Sequence, residues 1–580
     1  VKETRGLPLL AALLALSAVG LAVRVHAARS VGFGDSEALY ACYALYPAPA
    51  YLDHPGLIGL LARGMGHGTA PSPLVAHVFT ALAATLAPWW AYLAARLVGG
   101  DAVRSLAAAL AVAVAPEIAV GLFGMTPDLP FFFAWVGALA LLGRALLSPP
   151  GGTTAAALFV GAGVAMGVAC ASKVSGLALV LAALITLCTR PARAHARTAW
   201  PWAGLCLAAV VFAPVVAFEA RAGWPMLRHR LVDTQHDAGL SVRNAAALVL
   251  GQAAYVSPIL LVCGLVLGRD LVAAQRRDAV HALLASATVV PLVILGSLCL
   301  WSRVAEPHWI APAWLPLPLY YALRASPERP PGPRLRAWGL AVGLSMSAIV
   351  YAWVLVPAMV ALVPRASYDP RLDLANELSG WPEVAADVTR TVDAARVPPS
   401  GPEDVVVVGS VWTVCAQLRA ALPASVPVGC AGSNIADFAT WSPSSTWSRA
   451  DILVLVHDSR APADRAALFP DRSVLSTHTL SQPRGDRTAR VFTIEVLSRR
   501  ATALEPADRQ AAPPESTLSP LPEPPSRSAI HARLSAKRSM VASASASSAT
   551  CPGSRARATF QYVDPATIMS LMANQNMSCA

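Results

Sequence analysis

From the amino terminus to about residue 360, long apolar runs follow one another with short polar breaks between them. An α-helix needs about 20 mostly apolar residues to cross the hydrocarbon core, where backbone polar groups can only be satisfied within the chain. About eleven stretches, with a range of roughly 9–13, meet or approach that length. They cover residues 7–28, 73–97, 103–122, 129–147, 155–171, 174–187, 200–218, 246–267, 280–300, 310–323 and 338–362, and several are short and interrupted by proline. The first follows Lys2 and Arg5, is long, and has no clear small-x-small site ahead of the next acidic loop, so it reads as an uncleaved span rather than a signal peptide. The pattern predicts an all-α polytopic membrane core over residues 1–363.

The polar breaks can be tested for orientation. If Lys2 and Arg5 are cytoplasmic, every second loop should be basic. Arg96 and Arg104, Arg144, Arg190 to Arg197, Arg269 to Arg277, and Arg324 to Arg336 all fall on that side. The other side collects the acids and histidines: Asp35 to His54, Thr126-Pro127-Asp128, the 221–245 loop and the 301–309 loop. The 221–245 loop also holds Arg221, Arg228, Arg230 and Arg243 against the charge rule, which calls for a functional reason.

After residue 363 the period changes. Asp404–Ser410 and Asp451–Asp458 are β-branched runs bounded by turn residues, and helical segments such as Val411–Ala421 alternate with them. This predicts a small α/β domain over 364–500, extracytoplasmic by parity. Residues 501–580 are rich in Pro, Ser, Ala and Arg and read as a disordered tail.

Composition sharpens this picture. The chain is 55% hydrophobic and 14% charged, against about 25% charged in soluble proteins. The net charge of +11 does not point to nucleic acid, because the arginines lie in short loops and the tail rather than on one amphipathic face. Six of the ten cysteines lie in or beside apolar runs and read as packing residues. Cys415 and Cys430 could form a disulfide if their domain is extracytoplasmic.

The candidate chemistry gathers at one membrane edge. The 30–72 loop places Asp35, Glu37, Asp53 and His54 just after the first span. Acids at a membrane boundary are often plain loop residues, so the motifs must decide. Tyr51-Leu52-Asp53-His54-Pro55-Gly56-Leu57 resembles the YxDHPPL signature of bacterial polyprenyl-phosphate-dependent glycosyltransferases. That superfamily, of GT-C fold, holds the protein O-mannosyltransferases and the aminoarabinose transferase acting on lipid A. Asp35-Ser36-Glu37-Ala38 resembles the family's Asp-Glu pair, with Ser36 between the two acids as a departure: alignment on Glu37-Ala38 puts Ser36 in the catalytic slot. Thr126-Pro127-Asp128, Ser172-Lys173, Gly223-Trp224-Pro225 and Glu306-Pro307-His308-Trp309 are similar to further family motifs in family order. Asp369-Pro370-Arg371-Leu372 with Gly380-Trp381, and Asn434–Trp441, resemble the beginning and end of the family's outer domain.

The resemblance implies transfer of a sugar from a polyprenyl-phosphate carrier to an acceptor hydroxyl at the extracytoplasmic face of a bacterial inner membrane, with inversion. The acceptor hydroxyl needs a general base, for which Asp35 is the first candidate and Glu37 the next. Asp128 either caps its helix or takes an active-site role, the latter favoured by family position. The leaving phosphate needs cations, for which Lys173, Arg303, Arg228 and Arg230 are the candidates, and His54 is a further candidate phosphate-binding residue. Lys173 could instead snorkel, and the paired arginines could instead meet lipid headgroups. The resemblance does not fix a cofactor, since a metal is a feature of some family members and not others: Asp53 and His54 with His236 or His308 could ligate a divalent metal, and solvated or hydrogen-bonded histidines are the favoured alternative. Sugar, carrier length and acceptor (glycolipid, polysaccharide or protein) stay open. A transporter or flippase of polyprenyl-linked sugars is the rival reading, but it would place ions at mid-span in repeated halves. A non-catalytic scaffold is the third reading, opposed by the intact acids and Lys173.

Overall fold

The computed structural model describes residues 2–235, 238–302, 304–324, 331–396 and 405–499. The expected tail at 501–580 lies outside the described residues, as do His236 and Arg303.

Every predicted apolar run is helical. Among the described residues, seven helices are long and apolar enough to cross a membrane, or nine if each of two bent pairs counts as one span. The remaining two runs carry shorter helices, Leu177–Cys188 and Pro316–Leu323. The bends have local causes. Ala102–Val114 turns by 69° into the segment Pro116–Phe123, and Val242–Val256 by 101° into Pro258–Ala274. In each case a proline opens the second segment, where it suits a first helical turn but cannot continue the helix before it.

Small residues bring the spans together. A Cβ on Gly163 would run into the Gly204 carbonyl, so Thr153–Ser172 and Trp200–Ala222 meet backbone to backbone. Asp128–Leu147 packs on the first of these and is the best buried span, with Trp135 and Leu139 fully enclosed.

The carboxy-terminal domain is a five-stranded mixed sheet. Its strands are β1 (Val405–Gly409), β2 (Val428–Cys430), β3 (Ile452–Asp458), β4 (Arg472–Arg484) and β5 (Arg487–Arg499), in the order β2-β1-β3-β5-β4. β1 pairs parallel with β2 and β3, while β5 runs antiparallel to β3 and β4. The helix Trp412–Ala421 follows β1 and packs on the short helix Asp35–Tyr43 of the membrane core. One apolar cluster runs across this seam, from Phe33, Tyr43, Tyr51 and Met125 to Cys415 and Phe438. Cys415 and Cys430 are joined in a disulfide, tying that helix to β2.

Candidate active site

Five segments meet at the end of the bundle where the acidic loops gather. The first is the loop after Tyr43. Tyr51 N–H donates to the His54 carbonyl and Gly56 N–H to the Pro49 carbonyl, folding the loop into a tight turn that presents Asp53 and His54. A Cβ at position 56 would strike the Ala48 carbonyl, so glycine is required there. From the carboxy-terminal domain, Asp437 fixes the turn: its carboxylate accepts the Leu52 amide (3.0 Å) and the Tyr43 hydroxyl (3.4 Å). Burial, with Asp53 nearby, lifts that carboxyl to about 7.

The second and third segments are the ends of two spans. Asp128 opens Asp128–Leu147, and Lys173 lies just past Thr153–Ser172 on extended backbone. Lys173 Nζ donates to Asp128 Oδ1 at 2.8 Å. Asp128 is therefore an ion-pair partner and makes no side-chain cap.

The fourth segment follows Trp200–Ala222. Gly223 and Trp224 both take left-handed backbone and turn the chain into Pro225–Arg228 and the wide turn His229–Asp233. Arg230 reaches Asp53 Oδ1 at 2.8 Å, lies over the Trp309 ring and has His229 beside it, 3.8 Å from the same carboxylate. Arg228 turns outward to Asp233.

The fifth is Glu306 and the 3₁₀ turn Pro307–Ala313. Gln252 donates to the Pro307 carbonyl (2.6 Å) and accepts from the Trp314 indole (2.9 Å), which pins the turn. His308 Nδ1 lies 3.0 Å from Glu306 Oε2, and its Nε2 lies 4.0 Å from Asp128 Oδ2. Burial and Lys173 push the His308 imidazole down, but Glu306 and Asp128 outweigh them and hold it above the usual histidine range. Burial opposes ionisation of Glu306, and its contacts with His308 override this, so its carboxyl lies below the usual range. His54 goes the other way. Burial and Arg230 depress it to about 3, so it is neutral at ordinary pH.

Sequence reading missed Glu117, Tyr40 and Tyr255. Glu117 lines a cavity of about 570 Å³ together with Asp128, His308, Tyr255 and Gln252, and the walls beyond them are mainly apolar side chains of the spans. Among the described residues, no ion pair or side-chain hydrogen bond engages Glu117. A lone carboxylate inside the 103–122 run was the available signal. Tyr40 meets the His54 ring edge to face.

Two expected catalytic acids stand elsewhere. Asp35 is 7% exposed and committed to the domain seam: Gln417 donates to it at 3.2 Å, while Arg460 and Arg490 lie 3.4 and 3.8 Å away. Arg460 also holds Glu377 at 2.9 Å. Glu37 accepts from the Gly34 and Met125 amides (2.8 and 2.6 Å) and faces His77 at 2.9 Å. Burial raises its carboxyl, but His77 and the two amides override this and hold it below the usual range. Glu37 thus anchors the Met125–Asp128 turn, with both carboxylate oxygens already engaged. The metal weighed for Asp53 and His54 with His236 or His308 finds no site among the described residues: no three His, Cys, Asp or Glu side chains there are grouped to hold an ion, Asp53 faces Arg230 and His308 faces Glu306.

The fold and site define a multi-pass membrane protein of the GT-C architecture, with an ionic cluster at one membrane face and an apolar cavity leading from it. Residues 53–218 match the family model of dolichyl-phosphate-mannose-protein mannosyltransferase. ArnT from Cupriavidus metallidurans bound to undecaprenyl phosphate shares the fold at 16% identity and a TM-score of 0.55, over 83% of this chain and 97% of that one. The same protein in the apo state gives 19% identity, a TM-score of 0.54 and the same coverage, 83% and 97%. No curated protein sequence matches the chain. The family match covers residues 53–218 of the 580, and the likeness to the solved structures is one of fold.

Proposed function

We propose that the chain moves a sugar from a polyprenyl-phosphate donor to an acceptor hydroxyl, with inversion, on the extracytoplasmic face of a bacterial inner membrane. The observation that carries this is the cavity: it is apolar along its length, as an isoprenoid tail requires, and ends at Glu117, Asp128 and His308 beside Lys173. The donor phosphate replaces Asp128 as the partner of Lys173, with His308 and Arg230 completing a cationic pole. The acceptor oxygen attacks the anomeric carbon while its proton passes to a carboxylate. The bond from anomeric carbon to phosphate oxygen breaks, and its electron pair leaves with the lipid phosphate.

Glu117 is the base in this reading. A base must be free to take a proton, and Asp128 is held by Lys173 whereas Glu117 in the same cavity has no ion pair or side-chain hydrogen bond among the described residues. Asp128 and Asp53 order Lys173 and Arg230 before the donor arrives. The domain at 364–500 contributes through Asp437, which holds the turn bearing Asp53. The test is the purified full chain with a panel of polyprenyl-phosphate sugars and hydroxyl acceptors, following free carrier. Acceptor-dependent carrier release supports the reading. Sugar-lipid that crosses vesicles intact, without release, would replace it with the transporter reading.

A further inference from the structure

One residue beside the cavity holds a backbone conformation that its side chain disfavours. Ser257 joins Val242–Val256 to Pro258–Ala274 at φ 80° and ψ 146°, where the chain bends by 101°. Residues other than glycine are strained in that region, because Cβ crowds the backbone. The proline that follows disfavours a helical alternative. Ser257 is fully buried and accepts the Leu260 amide at 3.4 Å, capping the second helix. Strain of this kind persists only where the surroundings enforce it, and here they do so from both sides. Before the bend, Gln252 is pinned to the Pro307 carbonyl and the Trp314 indole, and a Cβ on Gly251 would collide with the Pro307 ring. After it, Leu260 packs tightly on Gly339 and Gly343.

The strained junction aims Tyr255. Three residues after Gln252, it shares that helix face, lines the cavity with Glu117, Asp128 and His308, and meets the His308 ring edge to face at 6.0 Å. Among the described residues, no hydrogen bond engages its hydroxyl. We propose that Tyr255 donates this hydroxyl to an oxygen of the transferred sugar, and that Ser257 is the positioning residue that holds it there. The proposal rests on the donor reading above and adds the sugar to it. An unpaired phenol in a cavity walled mainly by hydrocarbon is costly, so a ligand oxygen should satisfy it. The isoprenoid tail has no such oxygen, and the phosphate belongs to Lys173. The sugar alone brings hydroxyl and ring oxygens to the end where Glu117 lies.

The experiment uses the full chain in one detergent with two readouts. One is acceptor-dependent release of carrier from a polyprenyl-phosphate sugar; the other is inhibition of that release by sugar-free undecaprenyl phosphate. Y255F keeps the ring and removes one oxygen. It should lower kcat/KM for transfer by about ten-fold and leave inhibition by the sugar-free carrier within about two-fold. S257G accepts the same backbone without strain, so it should transfer like the wild type. S257V is β-branched and cannot hold that backbone, so it should lose about as much as Y255F, and Y255F/S257V little more than either. Should S257V fail to fold, Y255F and S257G still decide the matter. Unchanged transfer in Y255F, equal loss of transfer and of carrier inhibition, or impaired transfer in S257G would each overturn the proposal. Absence of release from the wild type with every sugar-lipid would remove the transfer reading itself, a result distinct from those three.

Discussion

The Lys173–Asp128 pair offers the sharpest perturbation. At 2.8 Å the Coulomb attraction is about 6 kcal/mol at an effective dielectric constant near 20, before the opposing cost of desolvation. The side chains are 11% and 28% exposed, so the pair is close to the buried case, in which removing one partner costs about 3–5 kcal/mol because the other charge is stranded. D128N should therefore lower stability by about 2–4 kcal/mol, with solvent at the aspartate trimming the range. K173M should do the same by stranding Asp128. D128N/K173M strands neither charge, and should recover at least about 1.5 kcal/mol relative to the sum of the single changes. Activity should follow a different course. Removing a cation aimed at the leaving phosphate costs about 10²–10³ in kcat, so both K173M and the double variant should stay slow. The assay is thermal unfolding of the full chain in one detergent, beside single-turnover release of free carrier. Single variants that add within about 0.5 kcal/mol would show that the pair does not couple, and recovery of turnover in the double variant would remove Lys173 from the leaving-group role.

Other outcomes follow from the same geometry. E117Q should reduce kcat by about 10²–10⁴ while leaving donor affinity within a few-fold, as loss of a general base does; an unchanged kcat moves the base elsewhere. His308 is held above the ordinary histidine range, so its positive charge is fully present below the unfolded value and is lost as pH rises through the raised one. Turnover should therefore fall on the alkaline side, and H308Q should flatten that limb; a limb that persists in H308Q assigns it to another group. His54 is depressed to about 3, so protonation favours the unfolded chain. Stability should weaken as pH drops below about 6.5, and a thermal midpoint of H54Q that tracks the wild type across that range would contradict the assignment. D437N keeps the shape of the residue but weakens its hold on the Leu52 amide. It should raise donor KM by several-fold with little loss of fold, and identical KM values would detach the carboxy-terminal domain from the site.

The helical core was legible because crossing a bilayer imposes length and apolarity on each segment, and every predicted run carries helix. The bends were not, since Pro116 and Pro258 mark a break without giving its angle. Lys173, Asp128, Asp53 and His308 stood out because they lie in short motifs, and Arg230 because its loop breaks the charge rule; the structure brings the five close together. Asp35 faces away from this cluster for a geometric reason. Successive helical residues differ by about 100°, so Asp35 and Glu37 on one short helix look in nearly opposite directions. Glu37 meets the turn before Asp128, and Asp35 meets the arginines of a domain more than 400 positions downstream, Arg460 and Arg490. No local pattern reports a covering of that kind. The charge of His54 was equally hidden, because burial beside Arg230 is a tertiary fact.

A structure of the full chain with a polyprenyl phosphate bound tests the central claim most directly. The account predicts the phosphate within hydrogen-bond reach of Lys173 Nζ, the Lys173–Asp128 contact opened, and the isoprenoid chain running into the cavity beyond Glu117. A phosphate held only by Arg228 at the surface, or a chain lying outside the helices with the cavity empty and Lys173 still on Asp128, would contradict it.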